Sequence, residues 1–213
     1  MSPLRHLAAA AALAAAVHAA PVAGDILTPE AAAGEWRPLI AALASKGALQ
    51  ADFTESRFFP FRREAMVLRG VLRISPERGL SLQYTFPESE ILVADAEGLL
   101  LRDDRGRSRS ISASSREGGA IASLLPIMRF DLPALFPAFV VRARRGAEGW
   151  QFEFTPRESG DAGSLGTITV CGSGADVRHL EFRRSASQRV EIDVGETRAG
   201  AAFTPAELAR FFR

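Results

Sequence analysis

Trp36, Leu39, Ile40 and Leu43 recur at the spacing of one helical face, and Gly47 ends the pattern, which predicts a helix over 35–46. Beyond Gly47 the apolar period drops from about 3.6 residues to two. Leu49, Ala51 and Phe53 alternate with Gln50, Asp52 and Thr54. Met66, Leu68, Gly70, Leu72 and Ile74 share one face of the next strand, with Arg69 and Arg73 on the other. Leu80, Leu82, Tyr84 and Phe86 alternate with Ser81, Gln83 and Thr85, and shorter strands follow at 91–94, 99–102 and 107–113. The separators, such as Ser75-Pro76-Glu77-Arg78-Gly79 and Asp103-Asp104-Arg105-Gly106, are short and turn-forming, so these six strands predict an antiparallel meander.

Alternation stops between 114 and 139. This stretch predicts a helix near 117–125 and a short second helix capped by Asp131, and it carries Leu124, Phe130 and Phe136 among many large apolar residues. Such density is high for a connection, and the segment (about 115–138) reads as a lid over an apolar sheet face. Strands resume at 140–144, 150–154, 167–171, 179–184 and 189–194, with Trp150, Phe152 and Phe154 on one face. Thr204-Pro205-Ala206-Glu207 opens a final helix with cap, proline and glutamate in the expected order. Residues 20–34, rich in Ala, Pro and Gly, read as a leader in which Thr28-Pro29-Glu30 starts a turn or short helix. The fold class is mainly β (α+β): a curved antiparallel sheet of about eleven strands with a few short helices. A sheet of that size curls. Its interior either packs solid or encloses an apolar cavity, and the pattern leaves both open.

The 213 residues suit one domain over 35–213, and 47% hydrophobic content excludes disorder for the bulk of the chain. Met1 to Ala20 has a basic start (Arg5, His6), an apolar run from Leu7 to Val17 and small residues beyond, the pattern of an export signal over 1–19 cleaved after Ala19. The run is too short to span a bilayer, and no Cys stands near the cleavage site for lipid attachment. The chain has 26 basic and 25 acidic residues; removing Arg5 with the signal leaves 25 of each. Neutrality argues against nucleic acid and against a polybasic membrane anchor. Cys171 is the one cysteine, which excludes an internal disulfide, and it reads as a small strand residue.

Catalytic and metal chemistry find little support. His179 is the one histidine beyond the signal, no Gly-x-Ser-x-Gly elbow exists, and one His with one Cys cannot complete a metal site. The pairs Asp95/Glu97 and Asp103/Asp104 sit at turns, where acids serve the backbone. The basic run from Arg102 to Arg109 reads as a solvated hairpin. No cofactor and no enzyme activity are expected.

The segment 70–98 carries Gly70, the turn proline Pro76, a strand reaching the aromatic Tyr84, then Pro87 and Leu92-Val93-Ala94-Asp95, with Phe53-Thr54-Glu55 before it. This succession resembles the periplasmic outer-membrane lipoprotein carrier family (the LolA/LolB type), and the element order over 35–213 fits it. The resemblance implies a half-open barrel closed by a helical lid, a cavity for acyl chains, and a periplasmic carrier without enzymatic activity. It implies an acylated lipoprotein or other lipid-like cargo, an inner-membrane exporter and an outer-membrane acceptor as partners, and a monomer that is not lipid-anchored. The candidate cavity and lid residues are Leu72, Ile74, Leu82, Tyr84, Phe86, Leu124, Phe130, Phe136 and Phe152. The sequence departs from the family in two places. Ser75 stands where the family has an arginine that latches the lid, leaving Arg73 and Arg78 as candidates, and Ala96 replaces a glycine. The loop Phe58-Phe59-Pro60-Phe61-Arg62-Arg63 is unusually aromatic. A lipid-sensing regulatory module of the same fold is the alternative; an acyl hydrolase lacks a triad. Affinity that rests on acyl burial should depend little on salt.

Overall fold

A computed structural model of the chain describes residues 24–115, 124–157 and 166–213. The signal segment 1–19 and most of the helix placed near 117–125 lie outside the described residues. Of the segment read as a leader over 20–34, the described residues from Gly24 onward are built into the fold, and Thr28-Pro29-Glu30 starts a short helix as expected. In β1 (Asp25–Ile26), Asp25 and Ile26 pair with Ala143 and Arg142, Leu27 is buried, and the Thr28 hydroxyl caps α1 (Pro29–Ala33). This short pairing covers a strand edge that would otherwise present unpaired backbone groups. The next helix, α2 (Arg37–Ala44), is slightly shorter than its apolar pattern because Trp36 serves as its N-cap residue, with its ring buried.

The meander follows as β2 (Leu49–Phe58), β3 (Met66–Ser75), β4 (Gly79–Phe86), β5 (Glu90–Asp95), β6 (Gly98–Asp103) and β7 (Ser108–Ser112). Two short helices come next, α3 (Leu124–Met128) and α4 (Leu132–Leu135), the second capped by Asp131 as its sequence predicts. Strands β8 (Phe139–Gly146), β9 (Gly149–Pro156), β10 (Thr167–Ser173), β11 (Asp176–Arg183) and β12 (Arg189–Val194) form a second meander. The two-residue β13 (Arg198–Ala199) and α5 (Pro205–Phe211) complete the chain, α5 starting in a capping box between Thr204 and Glu207. All eleven longer strands correspond to segments read as strands in the sequence, most of them alternating, with β5 and β6 as short continuous apolar runs.

The two meanders join where β12 pairs with β2, giving one open antiparallel sheet in the order β1-β8-β9-β10-β11-β12-β2-β3-β4-β5-β6-β7, with β13 also on β2. Local backbone chemistry sets its shape. At Gly79, φ is 92°, and a Cβ would lie 2.3 Å from the Ala94 carbonyl oxygen. At Gly70, where β3 shifts register against β4, a Cβ would lie 2.0 Å from the Gln83 carbonyl oxygen and 2.9 Å from the Phe53 ring. The absence of a side chain there lets Phe53 and Tyr84, both facing Gly70 across the sheet, meet edge to face at 5.4 Å.

Strand pairing separates the two faces of the first meander. Leu72, Leu82 and Leu92 lie opposite one another on the inner face, while Arg73, Ser81, Val93 and Leu100 do so on the outer face. The outer set is also buried, because α5 covers it. The Arg73 guanidinium lies 3.7 Å from the Phe211 ring centroid, and Arg102 donates to the Arg210 carbonyl at 2.8 Å. Arg213 holds the end of the chain through Asp95 and Glu97, each at 2.9 Å.

Candidate functional site

The inner face divides into a solid half and a hollow half. In the solid half, Trp150, Phe152 and Phe154 of β9 project from alternate positions and are buried. Phe152 meets Trp36 at 5.2 Å and Phe130 at 5.8 Å, both edge to face. Phe130 adopts a φ of 52° between α3 and α4, a left-handed conformation that costs about 1–2 kcal/mol for a residue with a Cβ. Burial of its ring against Trp150 and Phe152 offsets that strain and pins the α3–α4 segment to the sheet.

The hollow half holds a cavity of about 500 Å³. Leu72, Leu80, Leu82, Leu92, Ala94 and Leu99 from β3 to β6 form one wall. Leu180, Phe182, Val190 and Ile192 from β11 and β12 form the other, and Leu124, Ile127 and Met128 of α3 close the space between them. The volume falls within the range of about 300–1,000 Å³ typical of ligand pockets.

One polar cluster interrupts this lining. Glu55 is only 3% exposed. Its Oε2 accepts from the Tyr84 hydroxyl at 2.7 Å, its Oε1 accepts from Arg57 Nε, and Arg57 Nη2 lies 3.4 Å from the Tyr84 oxygen. Burial, with the Glu55 carboxylate next to it, pushes the Tyr84 phenol well above its ordinary range. Burial pulls the Arg57 guanidinium down and the adjacent Glu55 pulls it up, with a net rise. Tyr84 is therefore a neutral donor and Glu55–Arg57 a charged pair, satisfied within the wall.

The lid is tied down by a contact opposite in sense to the expected latch. Arg129, which follows α3, donates through Nη2 to the Pro76 carbonyl at 2.8 Å. The arginine comes from the lid and the acceptor from the β3–β4 turn. Arg73 cannot reach the lid, because strand alternation turns it to the outer face under α5. Arg78 donates to the Arg213 carbonyl at 2.9 Å, toward the C-terminus.

Of the nine candidate contact residues, Leu72, Leu82, Tyr84 and Leu124 come together on the cavity wall. Phe130 and Phe152 belong to the aromatic half, and Phe136 and Ile74 pack at the edge of the core without lining the cavity. Phe86 is 49% exposed at the end of β4, with Arg69 over its ring at 5.4 Å. Glu55 and Arg57 were missed, although their signal is present in the sequence: they continue the two-residue alternation of Ala51 and Phe53 onto the inner face. In the aromatic loop, Phe58 and Phe59 reach the cavity, while Phe61 stacks on Phe59 at 5.4 Å and is 82% exposed.

Elsewhere, His179 Nδ1 lies 2.8 Å from Asp193 Oδ1, its partner across β11 and β12. Burial raises the Cys171 thiol above its ordinary value. Among the described residues, no group of three or more His, Cys, Asp or Glu is arranged to hold a metal, and no helix is long and apolar enough to cross a membrane.

No protein-family model matches the sequence, and no curated protein matches it significantly. Solved structures do resemble it. A domain from Vibrio parahaemolyticus, described as an outer membrane lipoprotein-sorting domain, aligns with 82% of this chain and 94% of its own at 9% identity and a TM-score of 0.45. A LolA superfamily protein from Nitrosomonas europaea covers 81% of this chain and 96% of its own at 8% identity, with a TM-score of 0.42. The Mycobacterium tuberculosis lipoprotein LppX covers 78% and 98% at 10% identity, with a TM-score of 0.38.

Proposed function

We propose that the protein is an exported carrier that shelters the acyl chains of a lipoprotein, or of another lipid-like molecule, in the cavity beneath α3 and conveys it across the periplasm toward the outer membrane. The observation that carries this reading is the half-hollow sheet: leucines of β3 to β6 and leucine, isoleucine and phenylalanine of β11 and β12 line a common cavity of about 500 Å³. Aliphatic side chains that could pack solid, as the aromatic half does, instead leave a space with the chemistry of a hydrocarbon chain.

Burial of a methylene contributes about 0.8 kcal/mol. Association itself costs several kcal/mol, so only long chains bind usefully. Loading and release need α3 to move, and among the described residues its tie to the β3–β4 turn is the hydrogen bond from Arg129 to the Pro76 carbonyl. An inner-membrane donor and an outer-membrane acceptor would complete the route, with the carrier acting as a monomer and making or breaking no covalent bond.

The test is purification of the protein from periplasm, followed by mass spectrometry of whatever lipid accompanies it. An acylated peptide identifies lipoprotein cargo, and another long-chain species identifies a different lipid. Protein that is free of lipid, and that takes up none from vesicles, contradicts the reading.

A further inference from the structure

The exposed large apolar side chains of the described residues are Phe61, Phe86, Val67 and Ile26. Three of the four gather at one end of the strands. Phe61 stands in the loop where β2 turns into β3, Val67 follows near the start of β3, and Phe86 ends β4 opposite Arg69. Ile26 lies apart, on β1. Five consecutive residues of the loop, Pro60 to Glu64, are exposed, and Phe61 is the most exposed of the four apolar residues at 82%. The cavity reaches the same loop, because Phe58 and Phe59 at its root line the space.

Local contacts hold Phe61 in this exposed place. The Arg62 N–H closes a turn on the Phe59 carbonyl at 3.1 Å, and the Phe61 ring stacks on Phe59 at 5.4 Å with 23° between the planes. A ring left in water forgoes the gain of burial, and several such residues at one rim mark a contact surface. The neighbouring side chains select the partner. Arg62 and Arg63 are exposed and make no ion pair or side-chain hydrogen bond among the described residues. Glu64 is the one carboxylate in the loop, and Glu88 lies in the neighbouring β4–β5 turn, so the local charge stays small. A ring flanked by solvated arginines suits the boundary of a bilayer, where the ring enters the acyl layer and the guanidinium groups stay among the phosphates. Five exposed residues are too few for a specific protein interface, which takes about 20–30 residues a side.

We infer that the β2–β3 loop docks the protein on anionic lipid surfaces, with Phe61 entering the interface and Arg62 and Arg63 at the headgroups. Docking itself stands on the loop. Its use rests on the carrier reading and deepens it: Phe58 and Phe59 lead from the docked tip to the cavity, so an acyl chain passes between bilayer and cavity at this rim. One ring and two arginines make a contact that a travelling carrier can also release.

The test sediments protein purified from periplasm with vesicles of phosphatidylcholine, alone or mixed with phosphatidylglycerol. Wild type should bind the mixed vesicles, and Phe61→Ser should bind them about tenfold more weakly, the loss expected for one aromatic ring. Because Phe61 is exposed, the thermal transition of Phe61→Ser should match that of wild type. Arg62→Gln/Arg63→Gln should lose the preference for phosphatidylglycerol, and added salt should shrink that preference in wild type. The indole fluorescence of Phe61→Trp should be quenched by brominated lipid, whereas that of the buried Trp36 and Trp150 in wild type should not. If wild type binds neither vesicle, or if Phe61→Ser binds as well as wild type, the docking assignment is wrong, and uptake of a fatty acid from solution decides the carrier reading separately. If the loop docks but no acyl chain leaves the vesicle for the protein, docking holds and the carrier reading fails.

Discussion

The Tyr84 hydroxyl donates to Glu55 Oε2 at 2.7 Å on the wall of an otherwise aliphatic cavity. A buried carboxylate is tolerated only when its oxygens are occupied, and here Tyr84 and Arg57 occupy one each. Gly70 makes the arrangement possible by leaving room for the Tyr84 ring beside Phe53.

The first consequence is readable because Tyr84 is the only tyrosine in the chain. Its folded pKa lies above the ordinary 10.0. The neutral phenol therefore stabilises the fold fully below pH 10 and loses that contribution as pH rises further. Ultraviolet difference absorbance should show no tyrosinate in the native protein near pH 10, then a late rise that coincides with unfolding. In denaturant the rise should return to the ordinary range. Titration of native protein with an ordinary midpoint contradicts the buried Tyr84–Glu55 pair.

The aromatic half should carry the stability. Phe152 is fully buried between Trp36 and Phe130, and Phe152→Ala should cost about 3–5 kcal/mol. Chemical denaturation measures this as a lower midpoint with an unchanged slope. A loss below 1 kcal/mol would mean that this half is loosely packed.

Arg129→Ala removes the hydrogen bond from the lid to Pro76. The site is exposed, so the loss of stability should not exceed about 1 kcal/mol, whereas release of a bound acyl probe in stopped-flow should speed up several-fold. Unchanged release would show that this contact does not hold the lid.

Cavity size sets a chain-length rule. Each pair of added methylenes should tighten binding by more than about tenfold, from ~0.8 kcal/mol each. The gain should stop once the chain fills the cavity of about 500 Å³. Isothermal titration across a series of fatty acids checks both the slope and the break. A flat series would place the ligand outside the cavity.

Strand identity was plain in the sequence because the signals are local: most of the eleven longer strands announce themselves by a period of two, and β5 and β6 by short apolar runs between turn residues. What alternation cannot state is how far facing walls stand apart. Phe152 and Leu82 have the same pattern, yet one meets Trp36 and Phe130 while the other borders open space. Ring size and the left-handed turn at Phe130 decide that, and both act through the third dimension. Arg73 was misjudged as a latch because a single arginine on a strand does not reveal that a helix more than 130 residues later will cover its face. Glu55 and Arg57 were legible by parity, but they fall on an apolar face where charged residues are not sought. The lid contact was hidden because its acceptor is a backbone carbonyl, which every residue has.

The central claim is that the hollow half of the sheet binds an acyl chain. It is tested most directly by titrating wild type and Leu92→Trp with a fluorescent polyunsaturated fatty acid. Leu92 borders the cavity and is only partly buried, so an indole there fills space without the usual penalty of about 1–3 kcal/mol for overpacking a closed core. The account predicts one saturable site per chain in the wild type and affinity at least about tenfold weaker in Leu92→Trp, with its thermal transition nearly unmoved. Equal binding by both proteins, or no saturable binding by the wild type, would contradict it.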